Sequence, residues 1–115
     1  MRYMMLIYSK EVDGEIPPEE GARIRAGHYD VMQDAGKKGI LQGGEPLSPT
    51  ATATTVRMQD GKPLITDGPF AETKEQLGGY YLVEAESQEQ ALGMAGKIPG
   101  ARAGCVEVRP IMVFS

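Results

Sequence analysis

The alternation of strand and helix signals along the chain is the feature that most constrains its fold. Residues 2–8 carry apolar side chains on both faces, which predicts a central strand covered on both sides. Prolines and then Glu19 and Glu20 indicate the start of a helix, and the helical pattern ends at about Lys38, where Gly39 suits a left-handed cap. One stripe of this helix is expected to face the core: Ile24, His28, Val31 and Ala35.

The middle of the chain predicts a hairpin. After a short strand at 40–41, two β-prone runs at 54–59 and 62–66 flank an Asp-Gly pair at 60–61. This pair favours a type I′ turn, because both central residues of that turn need a positive φ. Pro63 cannot donate a hydrogen bond to a ladder, so its strand is expected at a sheet edge or at a bulge.

The C-terminal half predicts a short helical turn at 71–77, a strand at 80–85 and then a second helix. Ser87, followed three residues later by Gln90, resembles a capping box at the start of this helix. Its core-facing residues are expected to be Ala91, Leu92, Ala95 and Ile98. Residues 105–114 predict the last strand. One face of that strand is apolar: Val106, Val108, Met112 and Phe114.

The resulting order is strand, helix, strand, hairpin, strand, helix, strand, and the length suits one domain spanning residues 1–115. Two helices with four or more strands predict an α+β ferredoxin-like sandwich, in which the helices cover one face of an antiparallel sheet. The other face of the sheet also carries apolar residues, so we expect it to pack against a second copy. The sequence therefore predicts a homodimer.

Composition excludes several classes of protein. With one cysteine and one histidine, the chain cannot form an internal disulfide or a zinc-finger type of site, and no metal is expected. The net charge of -4 disfavours nucleic acid and anionic membranes as partners. The apolar run at 3–8 is too short for a membrane span or a signal peptide, so a cytoplasmic protein is expected. Neither glycine motif of nucleotide sites is present, and no cofactor is expected.

His28 and Asp67 are the candidate catalytic residues. A histidine titrates near neutral pH, and a carboxylate can orient its ring. Because His28 lies on the core-facing stripe, it can also be a core histidine that is hydrogen-bonded to the backbone. Asp67 precedes Gly68. It therefore either caps a turn through its own backbone or presents a rigid carboxylate at the end of a strand.

Three charged residues are candidates for binding a small polar substrate: Glu72, Lys74 and Arg109. Glu72 and Lys74 belong either to a solvated surface or to the rim of a pocket, which the glycines at 78–79 would let a ligand approach. Arg109 lies in the predicted last strand. It either faces solvent, pairs across the sheet, or projects into a cleft and clamps a carboxylate with two hydrogen bonds.

The segment TDGPFAETKEQLGGYYLVEA at residues 66–85 resembles the signature of the DGPF family, within the wider YciI-related superfamily. The runs at 3–8, 53–57 and 106–111 resemble the same family, so the likeness covers nearly the whole chain. The resemblance implies a ferredoxin-like subunit that dimerises into an α/β barrel. It also implies a histidine–aspartate pair in a cleft.

Residues 25–28, RAGH, resemble the helix-borne histidine pattern of YciI proteins, which implies His28 with Asp67 as its partner. The first functional hypothesis is a small enzyme, in which His28 acts as general acid or base on a small polar metabolite. Isomerisation, lyase chemistry and cofactor-free oxidation all fit. Two alternatives stay open, namely a ligand-binding or regulatory module without catalysis and a structural dimerisation domain without a ligand.

Overall fold

The computed structural model describes residues 1–11 and 17–114 and has an α+β architecture with two antiparallel sheets. Its elements are β1 (Arg2–Ser9), α1 (Pro18–Lys37), β2 (Leu41–Pro46), β3 (Thr54–Gln59), β4 (Lys62–Asp67), β5 (Gln76–Glu84), α2 (Gln88–Ala95), α3 (Gly100–Ala103) and β6 (Gly104–Pro110). The larger sheet has the strand order β2-β5-β1-β6, and β3 with β4 forms the smaller one. This arrangement is compatible with a ferredoxin-like sandwich.

The core lies between the larger sheet and the helices. Alternate residues of β1 turn to this side, so Tyr3, Met5 and Ile7 are buried, and Tyr81 and Val83 of β5 lie beside them. The helices and the segments that flank them supply the other buried residues: Val31, Ala35, Ala85, Ala91, Met94, Ala95 and Ile98. Burying a large apolar side chain contributes roughly 1.5–3 kcal/mol, so this layer dominates the stability of the fold.

No element of residues 1–11 and 17–114 covers the opposite side of the larger sheet. We call this side the open face; its apolar residues are Met4, Leu6, Tyr8, Tyr80 and Leu82, and all five are half-buried. The register explains the division, because Met4 pairs with Leu82 while its neighbour Met5 pairs with Tyr81. Among the described residues of one chain, β1 is therefore covered on the helix side alone, whereas the sequence predicts cover on both sides.

Both helices begin as the sequence predicts, and the second has a side-chain cap. Pro18 begins α1, and Glu19 and Glu20 complement the dipole of its first turn. Gly39 follows the last turn with a φ of 70°. At α2, the Ser87 hydroxyl accepts a hydrogen bond from the Gln90 backbone N–H at 3.1 Å. Among the described residues, no helix is long and apolar enough to cross a membrane.

β3 and β4 form a hairpin that we call the arm. Its turn is the predicted one, because Asp60 and Gly61 have φ values of 51° and 76°. Pro63 lies on β4, which has one neighbouring strand, so its expected edge position is confirmed. Side chains of both strands are exposed almost throughout, whereas those of the larger sheet alternate between core and open face.

The short helical turn predicted at 71–77 is wrong. Residues 71–75 form an irregular loop, and β5 already begins at Gln76. Local side-chain hydrogen bonds compete with a helix here. The Thr73 hydroxyl donates to the Glu75 carbonyl at 2.6 Å, and the Gln76 side-chain amide donates to the Thr73 carbonyl at 2.5 Å.

Two further expectations need correction. The last strand ends at Pro110 rather than 114, because its neighbour β1 begins at Arg2 and only the Ile111 backbone N–H still reaches the Arg2 carbonyl. In α2, Leu92 is 50% exposed and Met94 is buried instead. A stripe at helical spacing includes residues three and four apart, so Met94 joins Ala91 and Ala95 while Leu92 turns outward.

Candidate functional site

His28 and Tyr81 meet between α1 and β5. The Nδ1 atom of His28 lies 2.6 Å from the hydroxyl oxygen of Tyr81, which is a short hydrogen bond. The two rings are tilted by 43° with their centroids 5.9 Å apart. Tyr81 lies on the core side of β5, so its ring packs in the core and its hydroxyl reaches the helix. The sheet register and the helix stripe together create this contact.

A glycine on the neighbouring strand makes room for Tyr81. Gly44 of β2 pairs with Tyr81, and a Cβ atom at this position would lie 2.5 Å from Cδ1 of the Tyr81 ring. It would also lie 2.8 Å from the Tyr80 carbonyl oxygen. Close approach of this kind is a common reason for glycine within a strand. Gly44 therefore holds space for the ring that contacts His28.

Burial sets the protonation of both groups. It lowers the pKa of His28 below its ordinary value, because the charged imidazolium loses solvation. It raises the pKa of the Tyr81 hydroxyl for the same reason. At neutral pH, the pair is therefore a neutral imidazole bonded to a neutral phenol. The tautomer of His28 decides whether the Nδ1–H or the tyrosine O–H donates.

The second ring nitrogen of His28, Nε2, takes no part in this hydrogen bond. Nε2 makes no hydrogen bond within residues 1–11 and 17–114. In that part of the chain, every fully buried side-chain nitrogen or oxygen has a hydrogen-bond partner, so an atom without a partner cannot be fully buried. Nε2 is therefore not fully buried, while Nδ1 is held by Tyr81. A ring oriented at one nitrogen and accessible at the other has the geometry of a general acid or base.

Asp67, Glu72 and Lys74 belong to other elements than His28 and Tyr81 do. Asp67 is the last residue of β4, at the root of the arm, and Glu72 and Lys74 follow in the exposed loop before β5. Among the hydrogen bonds of the described residues, none joins any of the three to His28 or Tyr81. The loop is instead held by local hydrogen bonds of Thr73, which lies between Glu72 and Lys74, and of Gln76, the first residue of β5.

Arg109 lies on the other side of the larger sheet from His28. On β6 it pairs with Met4, which belongs to the open face, whereas Val108 pairs with the buried Met5. The side chain of Arg109 is exposed. The sheet itself therefore separates Arg109 from the His28–Tyr81 pair within one chain, and the predicted site residues do not form a single cleft there.

Residues 1–115 match the YCII-related domain. The chain belongs to the YCII-related family. It is 37% identical over 117 residues to an uncharacterized protein of Rhizobium meliloti (strain 1021), a match that covers 99% of this chain and 94% of that one. The described fold resembles 5-chloro-2-hydroxyhydroquinone dehydrochlorinase from Burkholderia phenoliruptrix AC1100, in its complex with 2,5-dihydroxybenzoquinone. That likeness has a TM-score of 0.51, covers 97% of this chain and 94% of the other at 19% identity, and concerns the fold alone.

A groove between α1 and α2 of this YCII-related chain has a volume of about 310 Å³. Its lining residues are Gly27, Asp30, Val31, Asp34, Met94 and Lys97. The volume lies at the lower end of typical small-molecule sites. Within residues 1–11 and 17–114, no cluster of three or more histidine, cysteine and acidic side chains could hold a metal ion.

Tyr81 is the site residue that sequence reasoning missed. The two tyrosines at 80–81 point to opposite faces of their strand, and the spacing alone favours a packing role for each. The two tyrosines are distinguished by which of them shares a face of β5 with the buried residues. Tyr81 alternates with Val83, the most deeply buried residue of that strand, and His28 lies on the helix stripe that faces the same layer.

Proposed function

We propose that this YCII-related protein is a small enzyme that performs acid–base chemistry on a small polar metabolite, with His28 as the group that moves the proton. The single observation that carries this proposal is the 2.6 Å contact between His28 Nδ1 and the Tyr81 hydroxyl, which leaves Nε2 open. Tyr81 orients the ring as a second hydrogen-bonding group orients a catalytic histidine in other sites. It is a positioning residue in this scheme.

The lowered pKa of His28 suits a general base. At neutral pH the imidazole is uncharged, so with its Nδ1–H donated to Tyr81 it has a free lone pair on Nε2. Nε2 removes a proton from the substrate, and the imidazolium returns a proton to another atom of the same molecule. Isomerisation needs only these two transfers. In a lyase-type elimination the bond to a leaving group also breaks, and the leaving group receives the returned proton. A cofactor-free oxidation begins with the first transfer and passes two electrons from the deprotonated substrate to an external oxidant such as dioxygen.

The shared fold supports a small ring compound as ligand. The structural neighbour is a dehydrochlorinase whose complex contains 2,5-dihydroxybenzoquinone. A fold of this kind therefore accommodates a small hydroxylated ring in that protein. We accordingly take hydroxylated quinones and hydroxy-substituted aromatic acids as the first substrate class for this chain, in which an acidic hydroxyl is the proton donor to His28.

We also propose that the protein is a cytoplasmic member of the DGPF group and acts as a homodimer, an α/β barrel in which the open face packs on a second copy. Asp67 is the proposed partner of His28, and Glu72, Lys74 and Arg109 are the proposed substrate-binding residues. Since no hydrogen bond joins these residues to His28 among the described residues of one chain, the dimer is the assembly in which they would act. Arg109, on the open face, would be enclosed by that packing.

The test uses the only histidine of the chain as a reporter. His28 gives one set of imidazole signals in NMR, so its tautomer and its response to a ligand are read without assignment. The compounds to test are hydroxylated quinones and hydroxy-substituted aromatic acids. We expect 2,5-dihydroxybenzoquinone, or another compound of these classes, to shift the Nε2 signal and to be converted. In His28→Gln, turnover should fall by about a hundredfold or more, the usual contribution of general acid–base catalysis.

Tyr81→Phe removes the hydroxyl and keeps the ring, so it should reduce turnover less than His28→Gln and change the tautomer ratio of His28. Tyr29→Phe is the matched control, because Tyr29 follows His28 on α1 but is largely exposed. Unchanged turnover in His28→Gln would contradict the proposal. A ligand that shifts the His28 signal but is never converted would favour the ligand-binding module instead.

A further inference from the structure

Gly27 lies directly before His28 on α1, and its backbone packs against the ring of Pro99, the residue that precedes α3. A Cβ atom at residue 27 would lie 2.6 Å from Cγ and 3.6 Å from Cβ of Pro99. Non-bonded carbon atoms are at their optimal separation at about 3.5–4.0 Å. The helix therefore comes this close to the Pro99 ring only because residue 27 has no side chain.

Pro99 has little freedom to move away from α1. The residue before it, Ile98, is buried in the core with 1% exposure. The residue after it, Gly100, packs closely on β1, because a Cβ atom there would lie 2.5 Å from Cγ2 of Ile7. The pyrrolidine ring also restricts the backbone of Pro99 itself. Pro99 is therefore a fixed support for α1, with core contacts on both sides of it along the chain.

His28, the next residue of α1, contacts a different element. Successive residues of an α-helix are about 100° apart around its axis, so Gly27 faces Pro99 while His28 faces β5. The Nδ1 atom of His28 lies there 2.6 Å from the hydroxyl oxygen of Tyr81. Two adjacent residues of one helix thus contact the α3 junction and the larger sheet. A displacement of the helix from Pro99 therefore moves the His28 ring relative to Tyr81.

The size of that displacement follows from the contact at residue 27. A methyl group there needs a separation of about 3.5–4.0 Å from the Pro99 ring instead of 2.6 Å, so α1 has to move by about 1 Å. The ring of Tyr81 stays behind, because it is packed in the core on β5. A misplacement of about 1 Å can lower a catalytic rate about a hundredfold. The contact at Gly27 is therefore tight enough to affect the His28 site.

We propose that Gly27 is a positioning residue of the His28 site. Because residue 27 has no side chain, α1 packs on Pro99 closely enough to place the His28 ring against the Tyr81 hydroxyl. Gly44 positions Tyr81 from the neighbouring strand β2. The two partners of the hydrogen bond are thus positioned separately, each by a glycine. The effect on turnover rests on the proposed function, whereas the effect on the hydrogen bond is measured without a substrate.

Gly27→Ala in the full chain tests this role. We expect it to change the tautomer ratio of His28, read from the imidazole nitrogen signals in NMR, and to lower turnover by about tenfold or more. Gly36→Ala is the matched control, because Gly36 lies on the same helix and a Cβ atom there meets nothing within 4 Å. Both substitutions raise helix propensity, so an effect of helix stability alone would appear in both variants.

A second substitution should reverse the effect. Pro99→Ala removes Cγ of the ring and keeps Cβ, which would lie 3.6 Å from a Cβ atom at residue 27, an ordinary contact. The double variant Gly27→Ala/Pro99→Ala should therefore regain the His28 signals of the unaltered protein. General destabilisation of the fold predicts the opposite, since the double variant would then differ from the unaltered protein more than either single variant does.

Circular dichroism reports whether each variant is folded. Unaltered His28 signals in a folded Gly27→Ala would overturn the proposal, as would equal changes in Gly36→Ala or signals that the double variant does not restore. If Gly27→Ala does not fold, a folded double variant with the original His28 signals confirms the contact, and an unfolded one overturns it.

The two proposals fail separately. Changed His28 signals in Gly27→Ala without any loss of turnover would confirm that Gly27 positions the ring and would contradict the proposed role of His28. Loss of turnover in His28→Gln, together with unaltered His28 signals in Gly27→Ala, would leave the proposed function standing and overturn the role of Gly27.

Discussion

The larger sheet and the arm are both antiparallel and both are rich in β-prone residues, yet they differ in what their side chains contact. Met5 of β1 is 0% exposed, and Met58 of β3 is 68% exposed. The same residue type in the same kind of strand is a core residue in one region and a surface residue in the other. Strand formation therefore depends on nearby residues along the chain, whereas burial depends on which other elements pack against the strand.

Truncating the two methionines should give the largest difference between the regions. Met5→Ala leaves a cavity at the centre of the core and should lower the free energy of unfolding by about 2–5 kcal/mol. Met58→Ala removes atoms that are largely in water and should cost about 1 kcal/mol or less. Urea denaturation followed by circular dichroism measures both. Equal losses would mean that the arm is buried as deeply as the sheet.

Adding one methyl group tests the packing around the site more finely. Gly44→Ala would force the Tyr81 ring or the strand to move and should cost about 1–3 kcal/mol, as other overpacked substitutions do. It should also change the His28 tautomer signal, since Tyr81 shifts. Gly43→Ala is the control, because a Cβ atom there meets nothing within 4 Å. If both variants were equally stable, the close approach at Gly44 would not be what positions Tyr81.

The smallest expected effect is a pH dependence confined to the sheet region. The pKa of His28 is lowered by burial from its ordinary value of 6.5. In the interval below 6.5, the unfolded chain binds a proton that the folded chain does not, so stability decreases as the pH falls and levels off below the folded-state pKa. Amide protection factors, which are corrected for the intrinsic exchange rate at each pH, should therefore decrease in β1 and β5 at acidic pH more than in the arm. In His28→Gln this part of the acid sensitivity should be absent.

Most elements were predictable because their signals are local. The Asp-Gly turn at 60–61 requires positive φ values, Ser87 supplies a helix cap, and the carboxylates at 19–20 suit a helix start. The predictions failed where contacts with other residues determine how far an element extends. The last strand stops at Pro110 because β1 offers no further partner, and the loop at 71–75 is held by side-chain bonds that a propensity argument does not include.

The candidate site was only half predictable. His28 stands out because it is the only histidine and lies on a helix stripe. Its contact with Tyr81 depends on the register between β1 and β5 and on the space that Gly44 leaves on β2, and neither follows from spacing along the chain. The roles of Asp67, Glu72, Lys74 and Arg109 stay predictions.

By itself, the sequence determined the kinds of elements, their order and their turn chemistry, since hydrophobic period, caps and positive-φ turns act over a few residues. It also limited histidine chemistry to one residue. The tertiary structure alone decided which face of each strand is covered, that the arm stands apart from the sheet, and that His28 is bonded to Tyr81. The physical reason is that burial and hydrogen-bond partners are set by contacts between residues tens of positions apart, such as the 53 positions between His28 and Tyr81.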